Sequence, residues 1–143
     1  MNTRTVAKTA SALKNGEAPD AWTQTLFGSL DVMDVEKFIS FMTDDVRFQF
    51  AGQPEVNGRK ATFEYLKGFL GMLDAIVHDL KWQVRNGDTL IVHGLAEYRA
   101  GAGRASVSWI NVLTLRGGKI ADYLIFVDSV PLAGLLASHT KSS

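Results

Sequence analysis

The sequence contains no cysteine among its 143 residues. That absence excludes disulfides, a thiolate nucleophile and thiolate-rich metal sites together. Histidine is scarce as well. His78, His93 and His139 show neither HxxxH nor HxH spacing and have no acidic cluster beside them, so no metal centre is expected. Charge of one sign is lacking, since 15 Lys+Arg are balanced by 15 Asp+Glu. Without a basic surplus gathered on one face there is no electrostatic case for a nucleic-acid partner. No stretch is long and apolar enough to span a bilayer, and residues 1–20 lack the continuous apolar run of a secretory signal. The expectation is a cytoplasmic protein with no membrane partner.

What is present suffices for one core. The length is near the commonest single-domain size, and 46% hydrophobic against 21% charged residues is ordinary for a globular chain. Residues 1–18 carry only a weak apolar pattern at Val6, Ala10 and Leu13 and read as a flexible arm or short docking helix. The domain is expected over 19–136, followed by a flexible polar tail over 137–143.

The apolar periodicity places helices first and strands after. Asp20 suits an N-cap, and Trp22, Leu26, Phe27 and Leu30 follow at helical spacing. Asp34 caps a second predicted helix through Val35, Phe38, Ile39 and Met42, and a third runs over 59–73 with Phe63, Leu66, Leu70 and Leu73 on one face. Between the last two, Val46, Phe48 and Phe50 alternate with Arg47 and Gln49, the period of a half-buried strand. From His78 onward, strands at 78–84, 89–99, 105–116 and 119–128 are separated by Asn86-Gly87, Gly101 to Gly103 and Gly117-Gly118, which are hairpin-turn residues. Helices gathered before an antiparallel meander define an α+β fold.

Three passages carry a family resemblance: FISFMTDDVRFQF over 38–50, WQVRNGDTLIV over 82–92 and GGKIADYLIFVD over 117–128. In order and spacing they resemble the nuclear transport factor 2-like superfamily, in its SnoaL-like polyketide-cyclase branch, over about residues 20–135. The resemblance implies a cone-shaped α+β barrel, with about three N-terminal helices packed on a strongly curved, mixed or antiparallel sheet that encloses an apolar pocket. It implies no cofactor, a small apolar ligand, and a homodimer through the outer sheet face, for which Ile110, Val112, Ile125 and Val127 are the expected residues. The architecture by itself decides little about activity.

Polar residues on apolar strand faces are the candidate catalytic groups. By alternation Asp128 shares a face with Phe126 and Leu124. If that face looks into the pocket, an unpaired carboxylate there must find a donor or hold its proton, either of which makes a candidate acid or base. If it does not, Asp128 ends its strand at the rim and caps the segment beginning near Ser129. The resemblance favours the first, because SnoaL-like cyclases and limonene-type epoxide hydrolases carry an acid/base Asp after GKI. His78 leads a face formed with Leu80, Trp82 and Val84; it is either a core histidine bound to a carbonyl or the partner of Asp128. Asn111, beside Trp109 and Leu113, either orients a ligand or stitches strands together. His93 and Glu97 fall on the opposite face of their strand and read as surface or interface residues. Trp22, Phe48, Phe50, Trp82, Trp109 and Phe126 supply the apolar walls.

The sequence departs from two known arrangements in the superfamily. Limonene-type epoxide hydrolases hold their water with Arg and Asp on the fourth strand and Tyr and Asn on the first, where Gly94, Ala96, Phe48 and Phe50 stand here. The ketosteroid-isomerase general base also falls near Phe50. What remains is a cofactor-independent acid/base enzyme of cyclase, isomerase, dehydratase or epoxide-opening type, acting on a small apolar, polyketide-like molecule. The alternatives are a non-catalytic binding module and a dimerisation domain.

Overall fold

The computed structural model describes residues 16–140. Most of the expected arm and residues 141–143 of the expected tail lie outside the described residues.

Helix α1 spans Ala21–Asp31, and Asp20 Oδ1 accepts from the Thr23 backbone N–H at 2.9 Å as its N-cap. Helix α2 covers Val35–Ile39, with Asp34 accepting from Lys37 N. It stops well short of Met42, because strand β1 already begins there, Met42–Phe50. Phe41 O accepts from Ile120 N, and Met42 pairs with Ile120. The last apolar residue of the expected helix is therefore claimed by the sheet. A two-residue strand β2, Val56–Asn57, pairs with β1 inside what reads as a loop. Helix α3, Arg59–Leu70, ends at Gly71 and buries Thr62, Leu66 and Leu70.

Strands β3 (Ala75–Asn86), β4 (Thr89–Ala100), β5 (Gly103–Arg116) and β6 (Lys119–Val127) form the meander. The six-stranded sheet runs β2-β1-β6-β5-β4-β3. All pairings are antiparallel except β1 with β6, which is parallel. The sheet is mixed, curved and unclosed, and helices cover its concave face. At the β5–β6 hairpin Gly117 and Gly118 take φ of 60° and 79°, a pair of left-handed values that glycine adopts without strain.

One helix has no counterpart in the sequence reading. Helix α4, Val130–Thr140, follows β6 directly and packs against β5 and β4, burying Leu132 and Leu135. Pro131 sits in its first turn, where a missing N–H costs nothing.

A bulge decides which residues of β3 face inward. Leu80 pairs with Gly94 but Trp82 pairs with His93, so Lys81 is an extra residue and the alternation inverts. Before the bulge Ile76 and His78 face the interior. After it Gln83 does, buried, while Trp82 turns to the outer face and lies 5.2 Å from the His93 ring. Gln83 Oε1 accepts from Asp20 N and Thr23 Oγ1, and Gln83 Nε2 donates to Asp20 Oδ2. The bulge thus places an amide where it ties the start of α1 to the sheet.

Candidate functional site

The concave face of the sheet and helices α1, α2 and α3 line a cavity of about 40 Å³ that opens to solvent. Its wall is mainly aromatic, with Phe27 and Trp109 stacked at 5.0 Å and Phe48 between Tyr65 and Tyr123. Half-buried Phe50, Tyr65, Phe69 and Ile125 form the part of the wall nearest solvent. No lysine or arginine lines it among the described residues.

His78 is the one imidazole in this wall among the described residues. Its side chain is 8% exposed, and Nδ1 lies 2.6 Å from Asp31 Oδ1. The backbone N–H of the same histidine also donates to that carboxylate, at 3.1 and 3.3 Å to its two oxygens. Two donors from one residue therefore fix Asp31. An ionised carboxylate only accepts, so Nδ1 carries a hydrogen, and in the neutral ring Nε2 holds the lone pair. Nε2 has no hydrogen-bond partner among the described residues. The ring packs at 5.3 Å from Phe27 and 5.9 Å, edge to face, from Trp109. Asp31 is the last residue of α1, at the negative end of the helix dipole, where a carboxylate is unfavourable unless a donor meets it.

Further polar groups line the cavity, among them Asn111, Tyr98 and Tyr123. Asn111 Nδ2 donates to the Tyr123 hydroxyl at 2.9 Å, and both residues are buried. Burial pushes the Tyr123 hydroxyl far above its ordinary range, and pushes that of Tyr98 up to about 12. Both phenols therefore remain protonated donors at neutral pH.

The structure divides the residues expected to build the site. His78, Asn111, Phe48, Phe50 and Trp109 line the cavity. Asp128 does not. Its Oδ1 accepts from Val130 N at 3.1 Å, exposed, and so caps the start of α4. Phe126 is 57% exposed on the outer face. The reason is register: inward-facing Trp109, Asn111 and Leu113 pair with Val127, Ile125 and Tyr123, and directly paired residues share a face. The inward set of β6 is therefore the opposite of the one expected, and Ile125 and Val127 leave the outer face. Trp82 is turned outward by the bulge. Trp22 packs against Phe41 at 5.3 Å, away from the cavity. Sequence reasoning missed Asp31, whose only signal was an acidic residue ending a helix, where a basic residue or glycine is favoured.

Among the described residues no group of His, Asp and Glu has the geometry of a metal site, and no helix is long and apolar enough to cross a membrane. No curated protein matches the sequence. Solved structures do share the fold. An epoxide hydrolase of M. tuberculosis described as LEH-like superposes with a TM-score of 0.68 at 14% identity, covering 83% of this chain and 89% of that one. TerC, co-crystallised with polyporic acid, gives 0.70 at 21% identity over 79% and 93%. A protein of Catenulispora acidiphila with a ketosteroid isomerase-like fold, in complex with trimethylamine, gives 0.75 at 10% identity over 84% and 95%. The SnoaL-like domain matches residues 23–123, most of the chain and every element from α1 into β6, and the chain belongs to the SnoaL-like family within the nuclear transport factor 2-like superfamily.

Proposed function

We propose that the cavity is the active site of an acid/base enzyme that moves a proton on a small apolar molecule. One observation carries this reading: a histidine in an aromatic wall, its Nδ1 held by Asp31 and its Nε2 without a hydrogen-bond partner among the described residues. The carboxylate fixes the tautomer and stabilises the imidazolium formed when Nε2 takes a proton. The phenols of Tyr98 and Tyr123 are the donors available to negative charge developing on a substrate oxygen. Cyclisation, double-bond isomerisation, dehydration and epoxide opening are the classes that this set of groups serves. The similar structures include an epoxide hydrolase and a protein holding polyporic acid, which supports an enzymatic or ligand-binding role.

The test uses 5-nitrobenzisoxazole, a flat, uncharged molecule whose ring opens when a base removes its carbon-bound proton. The C–H pair forms the nitrile, the N–O bond breaks, and the phenolate leaves as a coloured product. The expected result is ring opening faster than in buffer, lost in His78→Gln and reduced in Asp31→Asn. Equal rates for all three folded proteins would leave the binding-module reading.

A homodimer through the outer sheet face is part of the same proposal. Val77, Leu95, Ile110 and Phe126 are exposed there, an apolar set that a second copy would cover. A monomer by light scattering coupled to size-exclusion chromatography would refute it.

A further inference from the structure

The cavity is too small, as it stands, for the molecule it would serve. About 40 Å³ lies open inside it, room for about three water molecules. A void of about 150 Å³ is what one benzene ring takes, and small-molecule sites span about 300–1,000 Å³. The rest of the interior is filled by rings, and a close-packed interior does not stretch to admit a guest. A molecule with even one ring therefore enters only when a wall side chain leaves its place.

Phe69 is placed to do so. Its ring lies 5.7 Å from that of Phe50 and 6.1 Å, edge to face, from that of Tyr98. Phe50 is on β1 and Tyr98 on β4, with β6 and β5 between them. One ring thus bridges strands that would stand about 14 Å apart in a flat sheet. Phe69 belongs to the last turn of α3 and is half-buried, while Leu66 and Leu70 of the same helix are buried. It closes the mouth without being part of the core.

The turn that carries it is weakly held. Gly68 precedes Phe69 within the helix and Gly71 ends it, and glycine weakens a helix relative to alanine. At Gly71 a Cβ would stand 3.1 Å from Lys67 O, so close packing accounts for that glycine. Gly68 is exposed, and a Cβ there would meet no atom within 4 Å. What glycine supplies at 68 is freedom of the backbone.

We propose that the last turn of α3 is the gate of the cavity, with Phe69 as the door and Gly68 as the hinge, and that the space vacated by the ring sets the size of the molecule admitted. This deepens the active-site proposal and rests on the cavity being where the small molecule sits.

The experiment is stopped-flow fluorescence with N-phenyl-1-naphthylamine, an uncharged probe that brightens on leaving water. In the wild type the observed rate is expected to level off as probe concentration rises, because opening precedes entry. In Phe69→Ala the door is missing, and the rate should rise at least ten-fold and stay proportional to concentration; binding by this variant alone would be the same result in its extreme form. Gly68→Ala stabilises the closed turn and should lower the wild-type plateau about four-fold. A wild-type rate that climbs in proportion to concentration and matches that of Phe69→Ala would overturn the proposal, as would failure of both proteins to bind the probe. An unchanged plateau in Gly68→Ala would overturn the hinge. The wild-type curve and Gly68→Ala carry the test should truncation of Phe69 destabilise the fold. Because entry is read without turnover, a protein that opens 5-nitrobenzisoxazole yet shows no gate keeps the acid/base reading and loses this inference, and one that shows the gate without ring opening does the reverse.

Discussion

His78 Nδ1 and Asp31 Oδ1 lie 2.6 Å apart although 47 residues separate them in the chain. Removing either partner should be read separately from stability. Asp31→Asn still fills the space but no longer dictates that Nδ1 carries the hydrogen. Ring opening of 5-nitrobenzisoxazole is expected to fall about 10²-fold or more, with calorimetric melting little changed and circular dichroism unaltered.

Asp128 should behave as a cap and not as a catalytic group. Among the described residues its carboxylate hydrogen-bonds only to the N–H of Val130. Asp128→Ala is expected to lower stability by about 1 kcal/mol in urea titrations and to leave the rate with the benzisoxazole probe unchanged. A rate loss as large as that of His78→Gln would return Asp128 to the active site.

Gln83 should be far more sensitive than an ordinary strand residue. Gln83→Leu would strand Thr23 Oγ1 and Asp20 N without their acceptor, at a cost of about 1–3 kcal/mol. It should also alter the acid limb. The Thr23 backbone N–H, with help from the Gln83 and Thr23 side chains, holds the Asp20 carboxyl below its ordinary 3.8. A depressed folded value contributes stability that is complete above 3.8 and lost as pH falls further. Urea midpoints between pH 5 and about pH 2 should therefore fall less steeply in the variant.

Gly94 marks the place where the tryptophan wall meets the sheet. A Cβ there would stand 2.6 Å from Trp109 Cζ2 and 2.7 Å from the backbone oxygen of Asp79. One neighbour is main chain and the other a packed indole, so neither yields cheaply. Gly94→Ala is expected to destabilise by about 1–3 kcal/mol, measured by thermal melting.

The alkaline limb should report the buried phenols. Burial pushes Tyr98 to about 12 from an ordinary 10.0, and Tyr123 higher still. Raised folded values give stability that is complete below pH 10 and drains away as pH climbs through the folded values. Urea midpoints should fall above about pH 10, and Tyr98→Phe should soften that fall.

The order of the first three helices and the long strands was legible in the sequence because apolar spacing and glycine turns are local signals. The inward set of β5 was legible for the same reason, since Trp109, Asn111 and Leu113 alternate with more polar neighbours. In β6 both faces are apolar, Tyr123, Ile125 and Val127 against Leu124 and Phe126, so alternation carried no direction and pairing with β5 decided it. The inversion at Lys81 left no trace, because a bulge is a property of two strands in register. Asp31 was missed because nothing near it in the chain announces a partner 47 residues away. Helix α4 was hidden behind Pro131, which reads as an ending and serves equally well as a beginning.

Asp31 belongs to the helical layer and His78 to the sheet. Any chemistry that needs both exists only while those layers are seated on one another. A slight lifting of the first helix would separate the carboxylate from the imidazole while leaving the strands hydrogen-bonded. Heating should therefore silence turnover some degrees before the molecule melts.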